Sequence, residues 1–129
     1  MEKVTGIGGV FFKAIDADAL ARWYADVLGV DPVPTSYDGT VWEQAAGPTV
    51  FAPFGEDAWE SPYLGPTGWG INFRVDDLDA MVAQVRAAGA DVDVDPTRYP
   101  NGRFAQVRDP EGNAVQLWEP AEPGSGEEP

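Results

Sequence analysis

The feature that most constrains the fold of this chain is an internal repeat. When the sequence is shifted by 61 positions, Gly9–Ala14 aligns with Gly70–Val75, and Asp16 aligns with Asp77. Each copy opens with alternating apolar residues, which is typical of a strand with one buried face, and continues with an apolar stripe at helical spacing. A repeat of this length is one supersecondary unit that needs its second copy to cover its core.

Both copies carry signals for the ends of their helices. Asp16 and Asp77 are placed to cap the helix N-termini, because a short carboxylate accepts backbone N–H bonds there. Gly29 and Gly89 follow the apolar stripes and are expected to end each helix in the left-handed conformation.

After each helix the pattern changes to strands. Each half therefore reads as βαβββ, and the chain is predicted to be α+β, with two tandem modules forming a curved, cup-shaped mixed sheet. The helices cover the outer face, which leaves the concave face for a ligand. The predicted strands after the helices are 40–44 and 49–52 in the first half, and 91–94, 104–108 and 114–118 in the second. The predicted organisation is one domain over 1–120, with module one about 4–56 and module two about 68–120, and a disordered acidic tail over 121–129.

Composition excludes several kinds of chemistry. The chain has no His and no Cys, which removes imidazole and thiolate metal ligands, Ser-His-Asp triads and cysteine nucleophiles. Its formal net charge of -14 argues against nucleic acid and is compatible with a cationic ligand. It has no apolar run long enough for a membrane span, and Met1–Val4 does not open like a secretory signal, so we expect a cytoplasmic protein.

Four segments of the chain carry a recognisable pattern: Gly6–Val10, Trp23–Gly29, Phe73–Asp79 and the closing Asp109–Pro120. Together they resemble the vicinal oxygen chelate superfamily, which includes glyoxalase I, extradiol dioxygenases, fosfomycin-resistance enzymes and bleomycin-resistance proteins. The resemblance covers residues 4 to 120 and implies paired βαβββ modules in an open cup, usually completed within a homodimer.

The positions that hold metal ligands in other members of the superfamily are altered here. By the resemblance, the two first-strand positions are Gly9 and Gly70, and the two last-strand positions are Phe51 and Gln116. A divalent cation needs several anionic or imidazole ligands, and one amide does not suffice. We therefore predict no metal and no cofactor, and expect the two glycines to leave room at the floor of the cup.

Strand parity places aromatic and amide side chains on the same side as those glycines. Such a lining suits stacking and hydrogen bonding to a flat or amphipathic molecule. The predicted ligand-binding residues are Phe11, Glu43, Phe51, Asn72, Phe104, Gln116 and Trp118. Trp59, Tyr63 and Trp69, between the modules, either form a rim or pack the connection.

Two charged features leave alternatives open. Glu43 could be a buried acid, a receptor for a cation or an exposed strand residue. Lys13 and Arg74 are equivalent in the repeat, and they either hold an anionic group of a ligand or pair with nearby acids.

These observations predict a metal-free, homodimeric binding protein that sequesters a small aromatic or cationic compound, such as an antibiotic or a metabolite. The alternative is an enzyme: a glyoxalase-like lyase, an isomerase or a dioxygenase with atypical metal ligands, or an acid–base catalyst using Glu43 or a Tyr. A module that binds a protein partner and no small ligand is the third possibility. The identity of the ligand does not follow from the sequence.

Overall fold

The computed structural model describes residues 1–57, 61, 63–66 and 68–122. Trp59 and most of the predicted tail, residues 123–129, lie outside the described residues.

The second half of the chain forms a four-stranded mixed sheet. Its spatial order is β1-β4-β3-β2, with β1 parallel to β4 and the other neighbours antiparallel. The α+β class and the placement of helices on one face of an open curved sheet are confirmed. The strands are β1 (Gly70–Arg74), β2 (Val92–Val94), β3 (Gly102–Arg108) and β4 (Ala114–Pro120).

One helix comes from each half, and the predicted caps are confirmed. Helix α1 (Ala17–Trp23) continues into a π-helical turn (Tyr24–Leu28), and α2 (Leu78–Ala87) follows β1. The carboxylates of Asp16 and Asp77 each accept a bond from the N–H three residues on, at 3.0 Å. Gly29 and Gly89 follow the helices with φ of 75° and 91°. In the described residues no helix is long and apolar enough to cross a membrane.

The core lies between the two helices and one face of the sheet. Leu78, Val85, Val115 and Leu117 are fully buried there, because the apolar stripe of α2 packs on the alternate residues of β4. Helix α1 and the π-helical turn complete the core with Leu20, Tyr24 and Val27.

The first half differs from its predicted βαβββ pattern. Residues 1–57 form a helix but no strand, so the segments predicted as strands at 10–14, 40–44 and 49–52 run without ladder hydrogen bonds. Their apolar side chains are largely exposed: Phe11 is 95% and Phe51 is 86% exposed. Alternation along a segment predicts which face it can bury, but a strand also needs a neighbour to accept its backbone bonds.

The tight turn between β3 and β4 explains why the second half forms paired strands. The Asp109 carboxylate is buried and accepts bonds from the backbone N–H groups of Glu111 (2.9 Å) and Asn113 (3.0 Å), and from Asn113 Nδ2 (2.7 Å). When Gly47 is aligned with Gly112, the first-half counterparts of Asp109 and Asn113 are Gln44 and Pro48. Because proline has no N–H and glutamine carries no charge, the first half cannot build this turn.

The same turn also joins the two halves. Tyr24 Oη donates to Asp109 Oδ2 at 2.6 Å, and the Glu111 carboxylate accepts the N–H groups of Ile15 (2.7 Å) and Asp16 (3.0 Å). Burial, and next the bond to the Asp109 carboxylate, raise the pKa of Tyr24 well above its usual range. The start of α1 is thus anchored on a turn of the second half.

Candidate functional site

The face of the sheet that carries no helix presents its side chains in three rows. The strand register aligns Asn72 with Gln116 and Gln106 in the central row. Arg74, Trp118 and Phe104 form one flanking row. Gly70, Ala114 and Arg108 form the other flanking row. This arrangement follows from the alternation of the strands, since the intervening residues pack on the helices.

Two amides meet at the centre of this face. Asn72 Nδ2 donates to Gln116 Oε1 at 2.6 Å, and this contact joins β1 to β4. Asn72 is exposed and Gln116 is half-buried. Each amide therefore has further donor or acceptor capacity for a ligand.

A cluster of three rings, which we call the ring cluster, fills one end of the face. Phe104 and Trp118 lie parallel, at 4° with centroids 6.3 Å apart, and Tyr99 meets Phe104 edge-on at 5.8 Å. Trp118 is only 8% exposed and its Nε1 donates to the Asn101 carbonyl at 2.8 Å, so it backs the cluster. Phe104 is half-buried and Tyr99 is 40% exposed, so these two offer ring surface to a ligand.

Tyr99 is held in place by a carboxylate. Its hydroxyl donates to Asp95 Oδ2 at 2.8 Å, and this bond raises the pKa of Tyr99. The backbone N–H of Thr97 and the Tyr99 hydroxyl together lower the pKa of Asp95. The Tyr99 ring therefore sits on a fixed loop beside the sheet.

The first half reaches this face at Arg74. One guanidinium nitrogen of Arg74 donates to the Ala45 carbonyl at 3.0 Å, and Gly47 lies directly against the same group. A side chain on Gly47 would overlap the guanidinium and would displace this end of the Arg74 side chain.

The expected room beside the two glycines is not present, and this part of the prediction is wrong. The carbonyl oxygen of Tyr63 stands where a Cβ on Gly70 would lie, and Gly9 lies outside the strands of the sheet beside the exposed Phe11 ring. The connection between the halves therefore occupies the space at Gly70, and Gly9 does not form a floor with it.

The residues at the superfamily's metal positions do not fit a metal ion. Gly9 and Gly70 offer no ligand, Phe51 cannot coordinate, and the Gln116 oxygen already accepts from Asn72. In the described ranges no three acidic, His or Cys side chains form a group that could hold a metal ion.

The structure brings together four of the seven predicted ligand-binding residues: Asn72, Phe104, Gln116 and Trp118. Phe11, Glu43 and Phe51 are exposed and lie outside the strands of the sheet. Their predicted role depended on first-half strands that do not form here, so for these three a ligand contact stays a prediction.

For Trp69 and Tyr63 the sequence leaves open a rim or a packed connection. Trp69 lines a cavity, and Tyr63 packs on Phe54, which lines the same cavity. The cavity has a volume of about 360 Å³ and is lined by Phe54, Leu64, Trp69 and Gly70, among others. Tyr63 meets Phe54 edge-on at 6.2 Å. Trp69 also packs on Phe12 at 5.0 Å, so it holds the two halves together as well as lining the cavity.

Sequence reasoning missed Tyr99 as a member of this face. The signal was available, because Tyr99 directly precedes the Pro100–Gly102 turn that starts β3. An aromatic residue beside a tight turn can fold back on the next strand, and Tyr99 pairs with Gly102 in this way.

The family model described as a glyoxalase-like domain matches residues 9–118, so this chain belongs to that family. The resemblance to the vicinal oxygen chelate superfamily is confirmed.

Two curated relatives are similar to this chain over different spans. A protein named as a glyoxylase, CFP32 of Mycobacterium bovis and Mycobacterium tuberculosis, is 42% identical over 64 residues, which is 48% of this chain and 24% of that protein. The anthracycline biosynthesis protein DnrV of Streptomyces peucetius is 31% identical, over 91% of this chain and 44% of its own length. The chain thus spans less than half of each of these relatives.

The solved structure supports the fold alone. A protein from the mobile metagenome of V. Pseudocholerae matches with a TM-score of 0.59 and 18% identity. The match covers 95% of this chain and 99% of that one.

Proposed function

We propose that this chain binds a small, flat aromatic molecule on the helix-free face of its sheet, and that it does so without a metal ion. The observation that carries the proposal is the register that sets the Asn72–Gln116 amide pair beside the ring cluster. Stacking on Phe104 and Tyr99 would hold the ring system, and the amides would fix its orientation.

The family and one relative support this proposal. The chain is a glyoxalase-like domain, and the similar protein DnrV is named for anthracycline biosynthesis. Anthracyclines contain a flat fused-ring system, which is the shape that the ring cluster would accept. Capture of such a compound would fit sequestration of an antibiotic or a metabolite.

The enzymatic alternative has less support from these residues. A glyoxalase-type reaction requires a metal centre, which the donor set described above does not fit. Acid–base catalysis near neutral pH is favoured by a carboxylate that burial withdraws from water, and Glu43 is exposed.

We also propose that the working form is a homodimer. Several large apolar side chains of the first half are exposed, including Val10, Phe11, Val50 and Phe51. Strand β1 is at the edge of the sheet, and the backbone groups on its outer side have no strand partner among the described residues. A second copy would cover both features, and a monomer in sedimentation at micromolar concentration would contradict this part of the proposal.

Calorimetric titration with naphthamide, a neutral flat aromatic, tests the binding site. Replacing Phe104 with Leu should weaken its binding about three- to tenfold, because the stacking partner is lost. Tyr37→Leu is the matched control, since that ring is fully exposed and lies outside the sheet. Binding that is absent in the natural chain, or equal in both variants, would overturn the proposed site.

A further inference from the structure

The charges on the helix-free face are divided between its two edges. The chain carries 22 acidic and 8 basic residues. The register places Arg74 on the edge strand β1, whereas Asp93 lies on the opposite edge strand β2 and Asp95, which follows it, accepts the bond from the Tyr99 hydroxyl. These carboxylates therefore lie on the β2 side of the face, and the β1 edge carries a positive charge in a strongly acidic protein.

Several acids of this half are directed elsewhere by their structural roles. Asp77 caps α2, and Glu119 accepts the N–H of Leu78 at 2.9 Å on the helix side. Asp79 pairs with Arg103, also on the helix side, at 2.9 Å. Asp109 is buried in its turn. Capping and turn formation thus take these carboxylates away from the candidate site.

Arg74 keeps most of its hydrogen-bonding capacity. A guanidinium has five N–H donors, and the structure shows one bond from Arg74, to the Ala45 carbonyl. Within the described residues the only ion pair is that between Arg103 and Asp79, so no described carboxylate neutralises Arg74. The bond to Ala45 holds the group while leaving other donors for a ligand.

Arg74 also lies in the same row as the rings. It pairs across the sheet with Trp118, which pairs with Phe104. Because neighbouring strands are about 4.8 Å apart, Arg74 and Phe104 are separated by about 10 Å along this row. A fused-ring molecule with an acidic substituent spans such a distance.

We propose that the aromatic ligand is an acid, and that Arg74 binds its carboxylate or phenolate while its ring system lies on Phe104 and Tyr99. This inference rests on the proposed function and selects within it. The net charge of the chain suggests a cation, but Arg74, which forms no ion pair with a described residue, favours an anion at the β1 end of the row. Arginine suits this role because its planar donor pairs match a carboxylate.

Three probes with one ring system test the inference: naphthoate, naphthamide and naphthylmethylammonium. Calorimetric titration should rank the acid first, with about tenfold tighter binding than the ammonium compound. Arg74→Gln should remove about tenfold of the naphthoate affinity and leave naphthamide binding nearly unchanged. Arg74→Lys should restore part of the naphthoate affinity, since it keeps the charge and loses the paired donors.

The matched control is Arg22→Gln, which removes the same charge from the exposed last turn of α1. This variant should leave the order of affinity for the three probes unchanged. The comparison therefore distinguishes a local contact of Arg74 from the effect of net charge. Equal affinity for acid and ammonium, or an equal loss in both arginine variants, overturns the inference while naphthamide binding still supports the proposed function. If none of the three probes binds the natural chain, both the inference and the proposed function are overturned.

Discussion

The two halves of this chain share one sequence pattern and differ in how much of it they realise. Both form a capped helix, because the caps at Asp16 and Asp77 are local and need only the next three residues. Among the residues that the structure describes, only those of the second half form a sheet. The difference teaches that a repeat in sequence fixes local structure in both copies, whereas strand pairing depends on a turn that brings distant segments together.

Substitution of Asp109, in the turn between β3 and β4, tests this difference between the halves most directly. Asp109 accepts four bonds, three within the turn and one from Tyr24 of the first half. Asp109→Ala leaves buried donors without a partner, so we expect a loss of about 3 kcal/mol in the free energy of unfolding. Urea denaturation measures this loss.

Asp93→Ala is the control for this substitution, because Asp93 is an exposed carboxylate in the same sheet. Its effect should stay within about 0.5 kcal/mol. Similar losses in the two variants would show that the Asp109 turn does not hold the halves together.

The bond between Tyr24 and Asp109 has a smaller expected effect and a distinct dependence on pH. Tyr24→Phe should cost about 1–2 kcal/mol, since it removes one buried bond and keeps the ring. The pKa of Tyr24 is raised in the folded state above its ordinary value of 10.0, so its stabilisation is complete below that value. As the pH rises beyond it, the unfolded chain loses the proton first and stability falls.

Denaturation at a series of alkaline pH values checks whether the free energy of unfolding falls as the pH rises. The natural chain should lose stability above the ordinary tyrosine pKa, and Tyr24→Phe should show a shallower slope. Tyr37→Phe, at an exposed position, should behave like the natural chain. Parallel slopes for all three proteins would show that Tyr24 is not the group responsible.

The smallest expected effect comes from giving the first half the missing turn. Gln44→Asp together with Pro48→Asn supplies the carboxylate and the N–H donors at the positions equivalent to Asp109 and Asn113. We expect amide hydrogen exchange over residues 41–51 to slow, with a gain of about 0.5–1 kcal/mol.

Gln44→Asp alone is the control, because it adds the acceptor and leaves Pro48 without an N–H to donate. Unchanged exchange in the double variant would mean that the turn does not limit strand pairing in the first half.

The contrast between local structure and contacts of distant segments also decides what could be predicted from the sequence. The helix caps follow from residue type at the helix ends, and the structure has them. The core stripe and the shared face follow from periodicity and are also present; that face carries Asn72, Gln116, Phe104 and Trp118. The near-complete burial of Trp118 and the position of Tyr99 depend on how a loop folds back on the sheet, which no periodic pattern encodes.

The space beside Gly70 was not predictable for a related reason. Strand parity gives the direction in which a side chain would point, but the group opposite it comes from a separate segment, at Tyr63. Likewise, Phe11, Glu43 and Phe51 carry the right parity in segments that find no strand partner here.

The close approach of Tyr63 to Gly70 limits where a metal ligand could be introduced into this domain. A Gly70→His substitution would collide with the Tyr63 backbone, a group that cannot turn aside as a flexible side chain does. The segment around Tyr63 would have to be rebuilt before a coordinating side chain could be installed at position 70, so a single substitution there will not create a metal ligand.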